Sequence, residues 1–136
     1  MNPNVFPDLI AALREPAGRH SGLRLLLLFG SRARGDASDG SDWDFGFLAD
    51  PGLAAFDPDR LLTDLAGALG TERIDLADLS RAGALVRFRA ARDGIVISER
   101  DDTVHARFWN DAVGFWCDAG PVIQSGYEGI LERLDR

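Results

Sequence analysis

Two neighbouring segments decide how this chain folds: Leu25-Leu26-Leu27-Leu28-Phe29-Gly30-Ser31-Arg32-Ala33-Arg34-Gly35 and, after a short polar turn, Gly40-Ser41-Asp42-Trp43-Asp44-Phe45. The apolar run that ends in a glycine has the length and bounding of a buried strand. Gly30 lets backbone N–H groups approach an anion closely, and Ser31 is expected to cap a helix that begins there. The unpaired N–H donors of a helix start suit phosphate. Gly35 should break that helix after little more than a turn, and residues 36 to 40 carry the chain into a second strand over about 43 to 48. Residues two apart on extended backbone point the same way, so Asp42 and Asp44 aim two carboxylates at one place. Like charges held that close call for a cation. Oxygen ligands suit Mg²⁺, which is usually shared between one or two carboxylates and substrate phosphates.

A third carboxylate is expected if two metals are to be held, and Asp75 is the candidate. It lies in Arg73-Ile74-Asp75-Leu76-Ala77-Asp78-Leu79, where apolar and polar residues alternate as a strand requires. Asp78 is an odd number of positions away, so on a regular strand it faces the other side.

Around these segments the order is simple. Phe6, Leu9, Ile10 and Leu13 recur at helical spacing, predicting a helix over 5 to 14 that ends near Pro16 to Gly18. Residues 57 to 69 begin with Asp57 and Pro58, place Leu61, Leu62, Leu65 and Leu69 on one face, and stop at Gly70. A helix over about 81 to 92 follows the Asp75 strand, with Arg81, Arg87, Arg89 and Arg92 expected on a solvent-exposed face, and then a strand over 94 to 98. Strands alternating with helices give an α/β domain on a small mixed sheet flanked by helices.

After Asp101 the pattern is helical only. Val104, Phe108, Ala112, Phe115, Trp116 and Ala119 form a stripe beside Trp109, and Gly120-Pro121 should stop that helix. The expected organisation is a catalytic domain over 1–100 and a helical C-terminal tail over 101–136 that can bind a partner. Trp116 is expected to pack inward beside Phe115, with Trp109 facing outward. His105 reads as a helix-surface residue, Cys117 as a packed thiol, and the stretch around Gly126, Tyr127 and Gly129 as a poor helix.

Composition narrows the partners. The 136 residues carry a net charge of −7, and residues 1 to 80 alone hold 13 acidic side chains against 7 arginines. An extended nucleic acid would be repelled by that balance. A single cysteine excludes an internal disulfide and suits a reducing cytoplasm, and no apolar run approaches the length of a membrane span. All fifteen basic residues are arginine, so any cationic phosphate contact must come from a guanidinium. Arg32 and Arg34 lie beside the expected phosphate turn, either reaching a phosphate or simply solvated.

The string Gly30-Ser31, Gly35, Ser41-Asp42-Trp43-Asp44, with Asp75 on a later strand, resembles the DNA polymerase β nucleotidyltransferase superfamily over about residues 22 to 100. Within it the chain looks like the minimal nucleotidyltransferase (MNT) branch, which includes antitoxins paired with HEPN-domain toxins. The resemblance implies a polymerase β-like fold, triphosphate binding by Gly30 and Ser31, two Mg²⁺ ions on Asp42 and Asp44, and a catalytic-metal carboxylate at Asp75 that helps to activate the attacking hydroxyl. It implies transfer of a nucleoside monophosphate, AMP from ATP, although another NTP would fit the same residues. The acceptor is then a hydroxyl on a HEPN-type toxin. A small-molecule nucleotidyltransferase of the antibiotic-modifying kind, or a non-catalytic antitoxin that blocks by contact, are the alternatives. Trp43 departs from the aliphatic residue often found between the two aspartates.

Overall fold

The structure, a computed structural model, describes residues 5–52 and 55–118. Its elements run α1 (Val5–Gly18), β1 (Leu23–Phe29), α2 (Ser31–Arg34), β2 (Trp43–Ala49), α3 (Pro58–Leu69), β3 (Ile74–Asp78), α4 (Ala84–Asp93), β4 (Ile95–Glu99) and α5 (Val104–Asp118). The four strands form one mixed sheet in the order β3-β2-β1-β4, with β1 antiparallel to both its neighbours and β2 parallel to β3.

The unbroken apolar run of β1 reflects a central strand covered on both faces. Leu26 and Leu28 join Leu13 and Ala17 of α1, Leu61 and Leu65 of α3, and Phe45 and Phe47 of β2 in one core cluster. Leu25, Leu27 and Phe29 face a second cluster with Ala90 and Ala91 of α4 and Val104, Phe108 and Ala112 of α5. Leu25 through Leu28 are fully buried, and each such side chain contributes about 1.5 to 3 kcal/mol. Helix α3 starts and stops where its sequence signals lie. Asp57 caps it by accepting from Asp59 N–H at 3.0 Å, Pro58 is its first residue, and Gly70 closes it at φ 69°.

Helix α1 ends at Gly18, within the expected Pro16 to Gly18 stretch, where turn bonds from Arg19 N–H to Pro16 O and His20 N–H to Ala17 O, both 3.2 Å, close it. Several other sequence expectations are corrected. Phe115 is 55% exposed and lies off the buried stripe, whose members Val104, Phe108, Ala112 and Trp116 are spaced four apart along one face of α5. Trp116 is buried and stacks on Phe88 with centroids 4.6 Å apart, whereas Trp109 is 44% exposed. Arg87 is not a solvent-face residue: it donates to Leu79 O and lies 5.1 Å over the Phe108 ring. Cys117 is exposed rather than packed. Ala119, Gly120-Pro121 and the Tyr127 stretch lie outside the described residues. Among the described residues no helix is long and apolar enough to cross a membrane.

Candidate active site

The pairing of β1 with β2 and of β2 with β3 puts Phe29, Asp44 and Asp75 on one row across the sheet. Phe45, Ile74 and Leu76 pack into the α1/α3 cluster, so strand alternation turns Asp44 and Asp75 to the opposite face, toward α4. Asp75 is exposed and Asp44 half-buried. Burial, and then the adjacent charges of Asp75 and Asp42, push the Asp44 carboxyl above the usual carboxylate range, against the pull of Arg89 and Arg34. Asp42 stands just ahead of β2 with its side chain 54% exposed and Arg73 Nε 3.9 Å from its Oδ1.

Gly30 joins the two halves of the motif. Its backbone adopts φ 74° and ψ −159°, a region essentially reserved for glycine. A Cβ added there would lie 2.4 Å from Asp44 Oδ2, so the carboxylate rests directly against this turn. Gly30, and not Ser31, is the cap of α2: its carbonyl accepts from Ala33 and Arg34 N–H at 3.1 and 3.0 Å, and no side chain caps the helix. Ser31 is the first helical residue because the turning glycine occupies the position a side-chain cap would need. The amides of Ser31 and Arg32 are those that a helix start leaves for an acceptor from outside the helix. Gly35, at φ 85°, closes α2 after one turn through its N–H to Ser31 O.

The two motif arginines are both engaged within the chain. Arg34 donates from Nη1 to Asp93 Oδ2 at 3.0 Å and from Nε to Asp36 Oδ2 at 3.2 Å. Asp93, 6% exposed, also takes two bonds from Arg92 at 2.9 Å. Burial would raise its carboxyl, but the hydrogen bonds from Arg92 and Arg34 outweigh that and hold it below the usual range. Arg32 turns the other way, onto Ser41 O at 2.9 Å and over the Trp43 ring at 4.6 Å. Asp78, the weaker carboxylate candidate, accepts from Ser80 N–H and Oγ at 3.0 and 2.6 Å and so shapes the turn after β3.

The donor set suits a hard divalent cation. Two carboxylates share a row, one of them half-buried and reluctant to ionise without compensation. Among the described residues no three His, Cys, Asp or Glu side chains form a cage by themselves. Mg²⁺ needs none, since substrate phosphates and water complete its shell.

A mixed sheet carrying a Gly-Ser turn against paired aspartates defines a class, and the chain belongs to it: residues 12–103 match the family described as Polymerase beta, Nucleotidyltransferase. Among individual proteins, it is 36% identical over 87 residues to protein adenylyltransferase MntA of Aphanizomenon flos-aquae (strain 2012/KM1/D3), a match spanning 57% of this chain and 57% of that relative's length. Two solved structures share the fold. One is a toxin–antitoxin with AMP-PNP, 22% identical over the whole of both chains at a TM-score of 0.62. The other is a tri-AMPylated Shewanella oneidensis HEPN toxin in complex with MNT antitoxin, 22% identical over 96% of this chain and 95% of that one at 0.57.

Three residues beside the site are not assigned to it by the sequence: Asp93, Arg73, and Arg89, which the pattern places on a solvent-exposed face but which is half-buried and acts on Asp44. Arg89 and Asp93 come from α4, and no local pattern ties that helix to the motif. Arg73 was legible in principle, because it sits two positions before Asp75 in an alternating stretch.

Proposed function

We propose that this chain is a Mg²⁺-dependent nucleotidyltransferase that moves AMP from ATP onto a hydroxyl of a HEPN-type toxin, acting as its antitoxin. The observation that carries the reading is the contact between the Gly30 turn and Asp44 on the row shared with Asp75. Family membership supports the reaction class. The adenylyltransferase relative and the AMP-modified toxin complex support the nucleotide and the protein acceptor.

In this reading the Gly30-Ser31 turn holds the triphosphate through the first amides of α2 and the Ser31 hydroxyl. Asp42 and Asp44 would hold two Mg²⁺ together with the phosphates, and Asp75 would share the second ion. Bound Mg²⁺ supplies neutralisation of the charge on the triphosphate and its leaving group. Asp75 lies on β3, an edge strand, and is exposed, so a hydroxyl carried by another protein can reach it. Its carboxylate takes the hydroxyl proton. The hydroxyl oxygen bonds to the α-phosphorus as the bond to the bridging oxygen breaks, and pyrophosphate leaves.

Mass spectrometry of the partner that co-purifies with the chain tests this. The expected result is AMP on the partner with the wild-type chain and none with Asp44→Asn. A bound but unmodified partner would show that the chain blocks by contact, and either that result or the absence of any protein partner overturns the proposal.

A further inference from the structure

Three consecutive carbonyls of the loop that delivers Asp42 accept hydrogen bonds from guanidinium groups. Arg32, on α2, donates from Nη2 to Asp39 O at 3.3 Å and to Ser41 O at 2.9 Å. Arg73, immediately before β3, donates from Nη1 to Gly40 O at 2.7 Å. Residues 36 to 42 belong to no helix or strand, so no ladder fixes them. Their internal ties are a Ser41 N–H to Ser38 O bond at 3.0 Å and a Ser38 N–H to Ser41 Oγ bond at 3.0 Å. Asp36, at its start, is tied to α2 through its N–H to Ser31 O at 3.2 Å and through Arg34 to its carboxylate; the hydrogen bonds that anchor residues 39 to 41 to the rest of the molecule come from one arginine on each side.

Trp43 completes the arrangement. Its ring lies under the Arg32 guanidinium at 4.6 Å, and its backbone N–H donates to Arg73 O at 2.9 Å. An aliphatic residue between the two aspartates would keep the backbone bond but offer no π-face to the cation. With Nη2 committed to two carbonyls and its face to the indole, Arg32 is oriented toward the loop. The Arg73 to Asp42 ion pair matters less than the carbonyl bond, because it spans 3.9 Å between side chains 64% and 54% exposed.

We infer that Arg32 and Arg73 are positioning residues that clamp the Asp39, Gly40 and Ser41 carbonyls and thereby fix Asp42, with Trp43 as the platform that orients Arg32. This rests on the assignment of Asp42 to the metal proposed above. Groups that hold a metal ligand from behind change metal affinity by about 10- to 100-fold when removed, and a clamp acts on the metal half of the site rather than on the triphosphate.

Three measurements on the full chain test the clamp: amide hydrogen exchange over residues 38 to 43 without metal, Mg²⁺ half-saturation of ATP binding, and ATP affinity in EDTA. Arg32→Ala and Arg73→Ala should each speed exchange in this loop and raise the Mg²⁺ requirement about 10-fold, with ATP affinity in EDTA retained. Arg32→Lys should behave as Arg32→Ala, since a lysine ammonium cannot span two carbonyls while lying flat on an indole. Trp43→Leu should give a smaller shift in the same direction. A loss of ATP affinity in EDTA on Arg32→Ala would make Arg32 a phosphate ligand and overturn the inference, as would unchanged loop exchange or wild-type behaviour of Arg32→Lys. If the wild-type chain shows no Mg²⁺-dependent ATP binding, the metal assignment fails and the role toward Asp42 falls with it. Loop exchange still reports on the clamp itself.

Discussion

Replacing Gly30 by alanine should damage stability and chemistry together, and the neighbouring Gly35 provides the control. Gly30 sits at φ 74° and ψ −159°, where a residue with a side chain costs about 1 to 3 kcal/mol. The new Cβ would also fall 2.4 Å from Asp44 Oδ2. Asp44 can swing its carboxylate aside, so the collision adds little to the folding cost, but it displaces the group proposed to hold the metal. For 136 residues the unfolding entropy is about 0.3 kcal/mol/K near the midpoint, which converts the strain into a Tm lowered by roughly 3 to 10 °C. Gly35→Ala meets nothing within 4 Å of its added Cβ and carries only the left-handed penalty at φ 85°, about 1 to 2 kcal/mol. Scanning calorimetry paired with an ATP turnover assay should therefore find both variants destabilised but only Gly30→Ala inactive. Wild-type turnover in a folded Gly30→Ala, or equal loss of turnover in both variants, would refute the argument from contact with Asp44.

Other outcomes follow from the same geometry. Asp44 has its folded pKa raised, by burial first and then by Asp75 and Asp42. Its contribution to stability is therefore full below the unfolded carboxylate value of about 3.9 and is lost as pH rises through the raised folded value. Asp44→Asn should accordingly raise the Tm of the metal-free protein at neutral pH while abolishing transfer, and a lower Tm would contradict the crowding of these carboxylates. Asp75→Ala should depress kcat more than ATP affinity, because the Gly30 turn and the paired aspartates remain; calorimetry showing lost ATP·Mg²⁺ binding would contradict it. Trp116, stacked on Phe88 and 9% exposed, should lose about 3 to 5 kcal/mol on replacement by alanine. Trp109→Ala should stay within about 0.5 kcal/mol, and equal melting shifts would contradict the split between the two faces of α5.

Much of this fold is written in local signals. The apolar run of β1 is readable because a strand covered on both faces needs apolar residues at every position. Asp57, Pro58 and Gly70 mark the ends of α3 because each resolves an unpaired backbone group or a forbidden dihedral locally. The contact of Asp44 with Gly30 depends on strand pairing, yet the motif order foreshadows it. Features set by tertiary position were not legible. Ser31 loses the cap because Gly30 has already made the turn, Phe115 falls outside the stripe because α5 presents positions four apart to α4 and β1, and Arg34 is held by Asp93, fifty-nine residues away. The aromatic Trp43 looked like a departure from its family, and its meaning emerges only when Arg32 is seen lying on it.

The proposed role of the Gly30, Asp44 and Asp75 centre is to move a nucleoside monophosphate to a protein hydroxyl. Its most direct test is incubation of the chain and its partner with Mg²⁺ and ATP labelled at either the α- or the γ-phosphate. Label on the partner from α-labelled ATP alone, absent with Asp44→Asn and with EDTA, is the predicted result. Label from γ-labelled ATP, or α-label that persists in Asp44→Asn, would rule that role out.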